Sequence, residues 1–340
     1  MEDPKKKLRY GAMAATIAVA VGGFLLAQRL ALIPGPWTPK TSAGYLGNEA
    51  SAYTSAIDAD PADYMTYYRR GILYQKQRRF DLALADFNQA VNLSPTPVTL
   101  EALGEEAKSS LSRDTHTLGL VFLLHTTRGE VLQQMNQPDE ALADLDQAVA
   151  LDPRGSEVFF SRGLLRAVTG RYDSAIEDFN VILTRRSDVT WHFGRGLAAY
   201  FKGDWKNAVA DFRRATLMAP REDSYVIWLA KAELRNGTPL HADDFATLDR
   251  QSGAWPVIES FMSDHNPEQF ISGVRAGAGY ANPGSRDSKC KAALFLGEWL
   301  TLRKAGVGAR ELFTEAQATC RPLSIEQGAA TAELRRLPAS

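Results

Sequence analysis

One motif occurs four times along this chain of 340 residues. Each copy has Arg-Gly, an Ala twelve positions after the Gly, and an Asp three positions after that Ala, followed by Phe or Leu. The copies begin at Arg70, Arg128, Arg162 and Arg195. Repetition at an interval of this length indicates stacked supersecondary units, each of which buries its apolar face against its neighbours. Such stacks form extended surfaces, so the repeat favours a binding scaffold over an enzyme.

The charge balance and the cysteine content exclude several classes of function. The chain has 39 basic and 40 acidic residues, so its net charge of -1 provides no field that would attract nucleic acid. Its two cysteines lack the spacing of metal ligands. We find no motif for a catalytic nucleophile, a metal or a phosphate group. We therefore expect a protein without catalytic, cofactor-binding or metal-binding residues, and without a nucleic-acid partner.

The N-terminal residues have the pattern of a membrane anchor. A basic cluster at residues 5–9 precedes an uncharged run over residues 10–27, which as a helix would be about 27 Å long, close to the thickness of a bilayer core. The apolar character resumes up to Ile33. We predict a single transmembrane helix through residues 10–33 that contacts the lipid bilayer, with the N-terminus in the cytoplasm and the rest of the chain across the membrane. A cleaved signal peptide and a buried soluble helix are the alternatives.

The four motifs resemble the tetratricopeptide repeat (TPR), a 34-residue pair of antiparallel helices. In the first copy, the signature positions hold residues of suitable type: Tyr67, Gly71, Tyr74, Ala83, Phe87, Ala90 and Pro95. The resemblance implies an all-α TPR superhelix, or α-solenoid, preceded by the N-terminal transmembrane helix. Small residues then let paired helices approach closely, at Gly71, Ala83, Gly129, Ala141, Gly163, Ala175, Gly196 and Ala208, and at Gly297 and Ala309 in a final hairpin.

The repeats and the segments between them define the predicted organisation of the chain. Gly71 and Gly129 lie 58 residues apart, 24 more than one 34-residue repeat, so we predict a helical insertion at residues 98–121. The other predicted segments are a cytoplasmic N-terminus and anchor at 1–37, a linker and capping helix at 38–63, four repeats at 64–222, and a C-terminal helical region at 223–340, with a degenerate repeat and a final TPR-like hairpin at 290–321.

The recurrent Arg and Asp of the motif favour a structural interpretation. Each Arg lies beside the close-approach Gly of a first helix, and each repeat supplies one Asp in its second helix. We predict that they form partly exposed salt bridges within or between neighbouring repeats, which contribute about 0–1 kcal/mol each.

The TPR resemblance implies a partner-binding groove lined by the first helices of the repeats. Alternatively, the chain's own insertion or C-terminal helices fill the groove. Tyr68 and Ile72 stand where some TPR proteins carry a Lys and an Asn that bind a carboxylate, so a receptor for chaperone tails is disfavoured. Aromatic groove residues would anchor an amphipathic helix or an apolar peptide. The predicted groove residues are Tyr68, Ile72, Phe160, Leu164, Phe193, Leu197, Tyr200 and Phe201.

The two cysteines bracket the final hairpin. Cys290 opens its first helix and Cys320 closes its second, and these ends are neighbours in an antiparallel pair. A disulfide between them is geometrically feasible and would be stable only in an oxidising compartment. The predicted anchor topology independently indicates such a compartment. Two reduced cysteines in the core are the alternative.

The order of these segments resembles a second, narrower family, the bacterial envelope TPR lipoproteins that act as adaptors for periplasmic proteases and peptidoglycan hydrolases. This chain lacks their lipid-bearing cysteine and has the predicted anchor instead. The resemblance implies a non-catalytic periplasmic scaffold in the bacterial inner membrane that recruits an envelope enzyme or assists assembly of a complex. Its partners would be membrane or periplasmic proteins, with a homo-oligomer as a further option. The matching residues are Trp228-Leu229-Ala230, Trp255-Pro256-Val257-Ile258-Glu259, Leu296-Gly297-Glu298-Trp299 and Glu333-Leu334-Arg335-Arg336-Leu337.

Two other functions stay open from the residues alone. The first is a mitochondrial import receptor with the same anchor and cytosolic repeats, against which oxidation of Cys290 with Cys320 would count. The second is an enzyme whose site lies in residues 236–289. Its candidate residues are Trp255, Asp264, His265 and Glu268.

Overall fold

The structure, a computed structural model, describes residues 46–94, 115–241, 254–262, 285–303 and 308–337. Within these ranges all regular elements are α-helices, and no β-strand occurs. In chain order the helices are α1 (Leu46–Ala59), α2 (Tyr64–Lys76), α3 (Phe80–Leu93), α4 (Thr115–Gln134), α5 (Pro138–Leu151), α6 (Ser156–Val168), α7 (Tyr172–Leu183), α8 (Val189–Lys202), α9 (Trp205–Met218), α10 (Asp223–Arg235), α11 (Ala254–Met262), α12 (Arg286–Leu302), α13 (Ala309–Thr319) and α14 (Ile325–Arg336).

The described residues fall into two compact units, which divide between Ser161 and Arg162, inside α6. The four predicted repeats correspond to the pairs α2–α3, α4–α5, α6–α7 and α8–α9. Helix α1 stands at the place of the capping helix, and α12 and α13 form the final hairpin. The predicted anchor at residues 10–33 lies outside the described ranges. No helix inside them combines the length and the apolar character that a bilayer span requires.

Helix α4 is longer than the sequence predicts. It begins at Thr115 and continues to Gln134, so residues 115–121 extend the first helix of the second repeat instead of ending a separate insertion. No proline interrupts this stretch, and Val121 is buried. The remainder of the predicted insertion, residues 98–114, lies outside the described ranges.

The turn between the two helices has the same backbone conformation in every repeat. Seven positions after the close-approach Gly, φ is positive: 59° at Arg78, 59° at Asn136, 91° at Gly170 and 94° at Gly203. A left-handed residue ends a helix and reverses the chain. In each repeat the second helix begins two residues later, which keeps the helix pairs in a constant register.

Paired helices approach each other where the Gly of the motif faces a side chain of the second helix. A Cβ atom added to Gly196 would lie 2.7 Å from Cε1 of Phe212, whose ring is fully buried. The second repeat has Leu145 at the place of the Phe, and the nearest atom to a Cβ on Gly129 is 3.5 Å away. Glycine is therefore sterically required in the fourth repeat but not in the second. The small residues opposite are also fully buried, at Ala83, Ala141, Ala175, Ala208 and Ala309.

The Arg and Asp of each motif form a two-pronged ion pair, which confirms the predicted salt bridges. In the fourth repeat Nε and Nη2 of Arg195 each donate to Asp211 at 2.7 Å. Nη1 of Arg195 also donates to Asn180 of the preceding repeat, so one guanidinium group links two repeats. The carboxylates are buried, more deeply than the sequence predicts, which makes an unpaired Asp costly. The equivalent pairs are Arg70–Asp86, Arg128–Asp144 and Arg162–Asp178.

Histidine adds a second partner to two of these carboxylates. Nδ1 of His125 lies 2.8 Å from Oδ1 of Asp144, and Nδ1 of His192 lies 3.1 Å from Oδ1 of Asp211. Burial acts to raise the pKa of Asp144, but hydrogen bonds from His125 and Arg128 outweigh it and hold the pKa below its usual value. In sequence both histidines stand out only as departures from the repeat signature, because each occupies its fourth position.

Buried charges tie α12 and α14 to α10 in the C-terminal unit. Nη2 of Arg235 on α10 donates to Oε2 of Glu333 on α14 at 2.7 Å, and Arg336 is a second cation for the same carboxylate. Nζ of Lys231 lies 2.7 Å from Oε2 of Glu298 on α12. Both glutamates are at most 1% exposed. The C-terminal helices are thus held by buried ion pairs as well as by packing.

The final hairpin contains a disulfide between Cys290 in α12 and Cys320 at the end of α13, with Cα atoms 4.8 Å apart. Both cysteines are buried. The bonded pair is the one that the hairpin geometry indicates. That this bond forms in the cell stays a prediction.

Substitution of Gly196 by Ala should destabilise the fold, whereas the same substitution at Gly129 should not. At Gly196 the added methyl group would overlap the ring of Phe212, and overpacking of this kind costs about 1–3 kcal/mol. At Gly129 the methyl group fits, and alanine is favoured over glycine in a helix by about 1 kcal/mol. Thermal unfolding followed by circular dichroism should show a lower Tm for Gly196→Ala alone. Equal shifts in both variants would contradict the steric account.

Replacing Glu333 by Gln should destabilise the C-terminal unit, because Arg235 would keep its charge without a carboxylate. Breaking one partner of a buried ion pair costs about 3–5 kcal/mol, and partial exposure of the guanidinium group should reduce this to about 2–3 kcal/mol. The control Asp173→Asn breaks the exposed ion pair with Lys202 and should barely move the midpoint of urea unfolding. Unchanged stability of Glu333→Gln would show that packing alone holds α14.

Candidate functional site

The first helices of the first two repeats share a surface in the N-terminal unit, which we name the α2/α4 face. Helix α2 contributes Tyr68, Ile72 and Gln75 at helical spacing, and α4 contributes Glu130 and Gln133. Nε2 of Gln75 donates to Oε2 of Glu130 at 3.5 Å, so the two helices meet at this point. All of these residues except Gln133 are partly exposed. The α2/α4 face therefore presents apolar, aromatic and polar groups side by side.

Glu130 has an unusual electrostatic environment on this face. Burial raises the pKa of its carboxyl to about 7, and the hydrogen bond from Gln75 opposes the shift only in part. Tyr68 lies nearby, and its pKa is raised to about 12. Burial is the main cause and the charge of Glu130 adds to it, whereas a hydrogen bond with Thr127 acts in the opposite direction. Near neutral pH the carboxyl of Glu130 is thus partly protonated, while Tyr68 stays neutral.

Gln133 lies one helical turn from Glu130 and adds a second acceptor. Its side chain is buried, and no described residue donates a hydrogen bond to its Oε1 atom. A buried acceptor without a donor costs about 1–3 kcal/mol. Residues three apart lie on the same side of a helix, so the two acceptors belong to one stretch of the α4 surface. Both residues occupy groove positions of the TPR pattern in the sequence, although neither is among the aromatic and apolar residues predicted as anchors.

The predicted groove residues of the third and fourth repeats are, by contrast, covered by the chain itself within the C-terminal unit. The ring of Trp228 on α10 lies 5.1 Å from that of Tyr200 and 6.0 Å from that of Phe201, between centroids. Phe160, which precedes the boundary between the units, is partly exposed. The other predicted groove residues of these two repeats are each at most 6% exposed: Leu164, Phe193, Leu197, Tyr200 and Phe201.

Helix α14 lies against the same helices, α6 and α8. A Cβ atom added to Gly328 would lie only 3.0 Å from Cα of Val168 on α6. Nη2 of Arg336 donates to the backbone oxygens of Tyr200 and Phe201 on α8, at 2.7 and 2.5 Å. In the C-terminal unit the chain's own helix therefore packs on the helices that carry the predicted groove residues. Partner binding by the buried groove residues stays a prediction, and it would require α14 to move.

The candidate residues of the enzyme alternative form no described site. Trp255 belongs to α11, whereas Asp264, His265 and Glu268 lie outside the described ranges. In the part of the chain that the structure describes, no three His, Cys, Asp or Glu side chains are grouped so that they could hold a metal ion.

Comparison with known proteins places the repeats in a family. Tetratricopeptide-repeat models match residues 64–97, 126–189 and 193–242. Among solved structures, the chain is similar to a tetratricopeptide repeat protein from Parabacteroides merdae, with 12% identity, a TM-score of 0.49, and coverage of 92% of this chain and 96% of that one. It is also similar to the C-terminal part of a TPR repeat-containing protein from Cytophaga hutchinsonii, with 16% identity, a TM-score of 0.44, and coverage of 81% and 90%.

The matched segments coincide with the helix pairs that carry the Gly, Ala and Asp of the motif. TPR folds typically serve as non-catalytic scaffolds for protein–protein interaction. The chain is therefore a tetratricopeptide-repeat protein.

Proposed function

We propose that this chain is a membrane-anchored periplasmic scaffold that holds protein partners through the α2/α4 face. The observation that carries the proposal is the contrast between the two units. Tyr68, Ile72 and Glu130 are partly exposed in the N-terminal unit, whereas Leu164, Phe193 and Leu197 at the corresponding positions of the C-terminal unit are buried. Phe160, the remaining corresponding residue, lies before the unit boundary and is partly exposed. A scaffold needs an accessible surface with anchoring side chains, and the α2/α4 face supplies one.

Support for the location comes from the final hairpin and from the N-terminal sequence. A disulfide between Cys290 and Cys320 persists in an oxidising compartment and is rare in the cytosol. The basic cluster at residues 5–9 and the apolar run at residues 10–33 would place the repeats on that oxidising side. A mitochondrial receptor with cytosolic repeats would keep both thiols reduced, so the disulfide favours the periplasmic alternative.

The resemblance to envelope TPR adaptors supports a role in which the scaffold recruits an envelope enzyme or assists assembly of a membrane or periplasmic complex. Trp228 and Trp299 of the matching segments have structural roles: Trp228 covers Tyr200, and Nε1 of Trp299 donates to the backbone oxygen of Ser260. These segments therefore build the C-terminal unit, and the α2/α4 face is left for the partner.

Ile72→Asp should abolish partner capture, because it places a charge where an apolar partner side chain would pack. The control Leu217→Asp changes a side chain that is 71% exposed on α9, and capture should persist. Cross-linking in native membranes, followed by quantitative mass spectrometry, gives the set of captured proteins. Gln134→Trp, at an exposed position of α4, blocks the neighbouring surface without touching the core. If Ile72→Asp and Gln134→Trp both capture the same proteins as the wild type, the α2/α4 face is not the binding surface.

After rapid acid quenching and denaturation, which expose the buried sulfurs, Cys290 and Cys320 should resist a maleimide reagent until a reductant is added. A variant that lacks residues 1–37 should remain in the cytoplasm and label without reductant, because thiols there stay reduced. Gel shifts after alkylation by a polymer-linked maleimide count the free thiols. Labelling of both cysteines in the full chain before reduction would overturn the periplasmic location.

A further inference from the structure

Glu130 is partly buried, and it differs from the buried carboxylates of the N-terminal unit in having no cation partner among the described residues. Asp86 is paired with Arg70, and Asp144 with Arg128 and His125. No Lys, Arg or His of the described residues forms an ion pair with Glu130, whose hydrogen bond comes from the neutral amide of Gln75 at 3.5 Å.

Glu130 also differs in position from the Asp carboxylates of the motif. The Asp residues of the motif are on second helices and face the Arg of their own repeat. Glu130 is on a first helix, next to Tyr68, Ile72 and Gln75, which are partly exposed. A carboxylate in this position has lost much of its hydration without gaining a counter-charge. Within the described residues it is therefore open to a counter-charge.

The hydrogen-bonding groups around Glu130 favour donors over acceptors. Oε1 of Gln133 is buried, one turn away, and no described residue donates to it. The carboxylate has further acceptor capacity beyond the one hydrogen bond from Gln75. A Lys ammonium group carries three donors and an Arg guanidinium group carries five, and neither has an acceptor. Either group could pair with Glu130 and donate to Gln133.

The apolar residues of the face fit the rest of such a side chain. Lys and Arg bury their methylene stems along apolar surface while the charged end reaches a polar partner. Tyr68 and Ile72 lie one helical turn apart on α2 and supply that surface. The phenol ring can in addition hold a cation over its face.

We propose that the α2/α4 face binds its partner by a Lys or Arg side chain, which pairs with Glu130 and donates to Gln133 while its stem packs on Tyr68 and Ile72. The inference rests on the proposed function, since it names the chemistry of the partner at that surface. A partner that offers a carboxylate is disfavoured, because ionised Glu130 would repel it and the positions of a carboxylate clamp hold Tyr68 and Ile72.

The pairing makes binding depend on pH. The carboxyl of Glu130 has a pKa of about 7 without a partner, and it must ionise to pair with a cation. Among the neighbouring groups, Tyr68 stays neutral because its pKa is about 12, and Gln75 and Thr127 do not titrate. An arginine-containing peptide should therefore bind about tenfold more weakly at pH 6 than at pH 8. Sites that lack a titrating acid would show no such change.

A random twelve-residue peptide library, displayed and selected against the full chain at pH 8, tests the proposal whatever the natural partner is. Peptides that bind the wild-type protein and fail to bind Gln134→Trp, which blocks the surface without adding a charge, report on the α2/α4 face. We expect a Lys or Arg at one fixed position among them. Fluorescence anisotropy of one selected peptide, and of the same peptide with Gln at that position, then gives the change in Kd.

Glu130→Gln is the decisive variant, because it keeps the shape and the hydrogen bond to Gln75 and removes the charge. It should weaken the selected peptide by tenfold or more and abolish the pH dependence. When the peptide's basic residue is already Gln, Glu130→Gln should not weaken binding any further, because in a double-mutant cycle the two changes remove the same direct interaction. Glu140→Gln, at an exposed position of α5, is the matched control and should bind as the wild type does.

The outcomes separate the inference from the function on which it rests. Face-dependent peptides without a basic residue, or peptides that bind Glu130→Gln as tightly as the wild type, would overturn the cation site and leave the scaffold surface standing. Face-dependent peptides rich in Asp or Glu would overturn it as well. A library that yields no peptide sensitive to Gln134→Trp would overturn both the cation site and the α2/α4 face as a binding surface.

Discussion

The close approach of two helices at a glycine is the contact on which the rest of this structure depends. Because Gly196 has no Cβ, the ring of Phe212 packs directly on the backbone of the first helix. Arg195, next to Gly196, then lies opposite Asp211, next to Phe212, and Nε of Arg195 donates to Oδ2 of Asp211 at 2.7 Å. The same Arg reaches Asn180 of the preceding repeat, so pairing within a repeat and stacking between repeats depend on one arrangement.

The repeats could be predicted because their determinants are local. Each pair is encoded within about 34 residues by small side chains, an apolar residue four positions after the central Ala, and a fixed turn. The ion pairs followed from the same spacing. The burial of Asp144 could not be read in this way, because it depends on how His125 and the packed helices exclude water around the carboxylate. Local patterns specify which residues meet, whereas solvent exclusion is a property of the stack.

The position of α14 could not be predicted from the sequence, for a different physical reason. Its contact surface consists of Gly328, small alanines and buried charges instead of a stripe of large apolar residues, so no amphipathic pattern marks it as a docking helix. The contact between Arg336 and Tyr200 joins residues 136 positions apart. Small residues allow close approach without indicating which helix they approach. Among the predicted groove residues, Phe193, Tyr200 and Phe201 are buried within the chain itself, whereas Tyr68 and Phe160 are partly exposed.

The contrast among buried carboxylates connects this architecture to recognition. A buried acid that serves the fold has its counter-charge within the chain, as Glu333 has Arg235, since an unpaired charge would work against folding. Glu130 is partly buried and has no counter-charge among the described residues, and its raised pKa expresses that imbalance. Folding alone does not account for keeping an ionisable group there, because a neutral side chain of the same size would avoid the desolvation of the charged form. An incoming cation would remove the imbalance, so the feature that is unfavourable in the isolated chain becomes favourable in a complex.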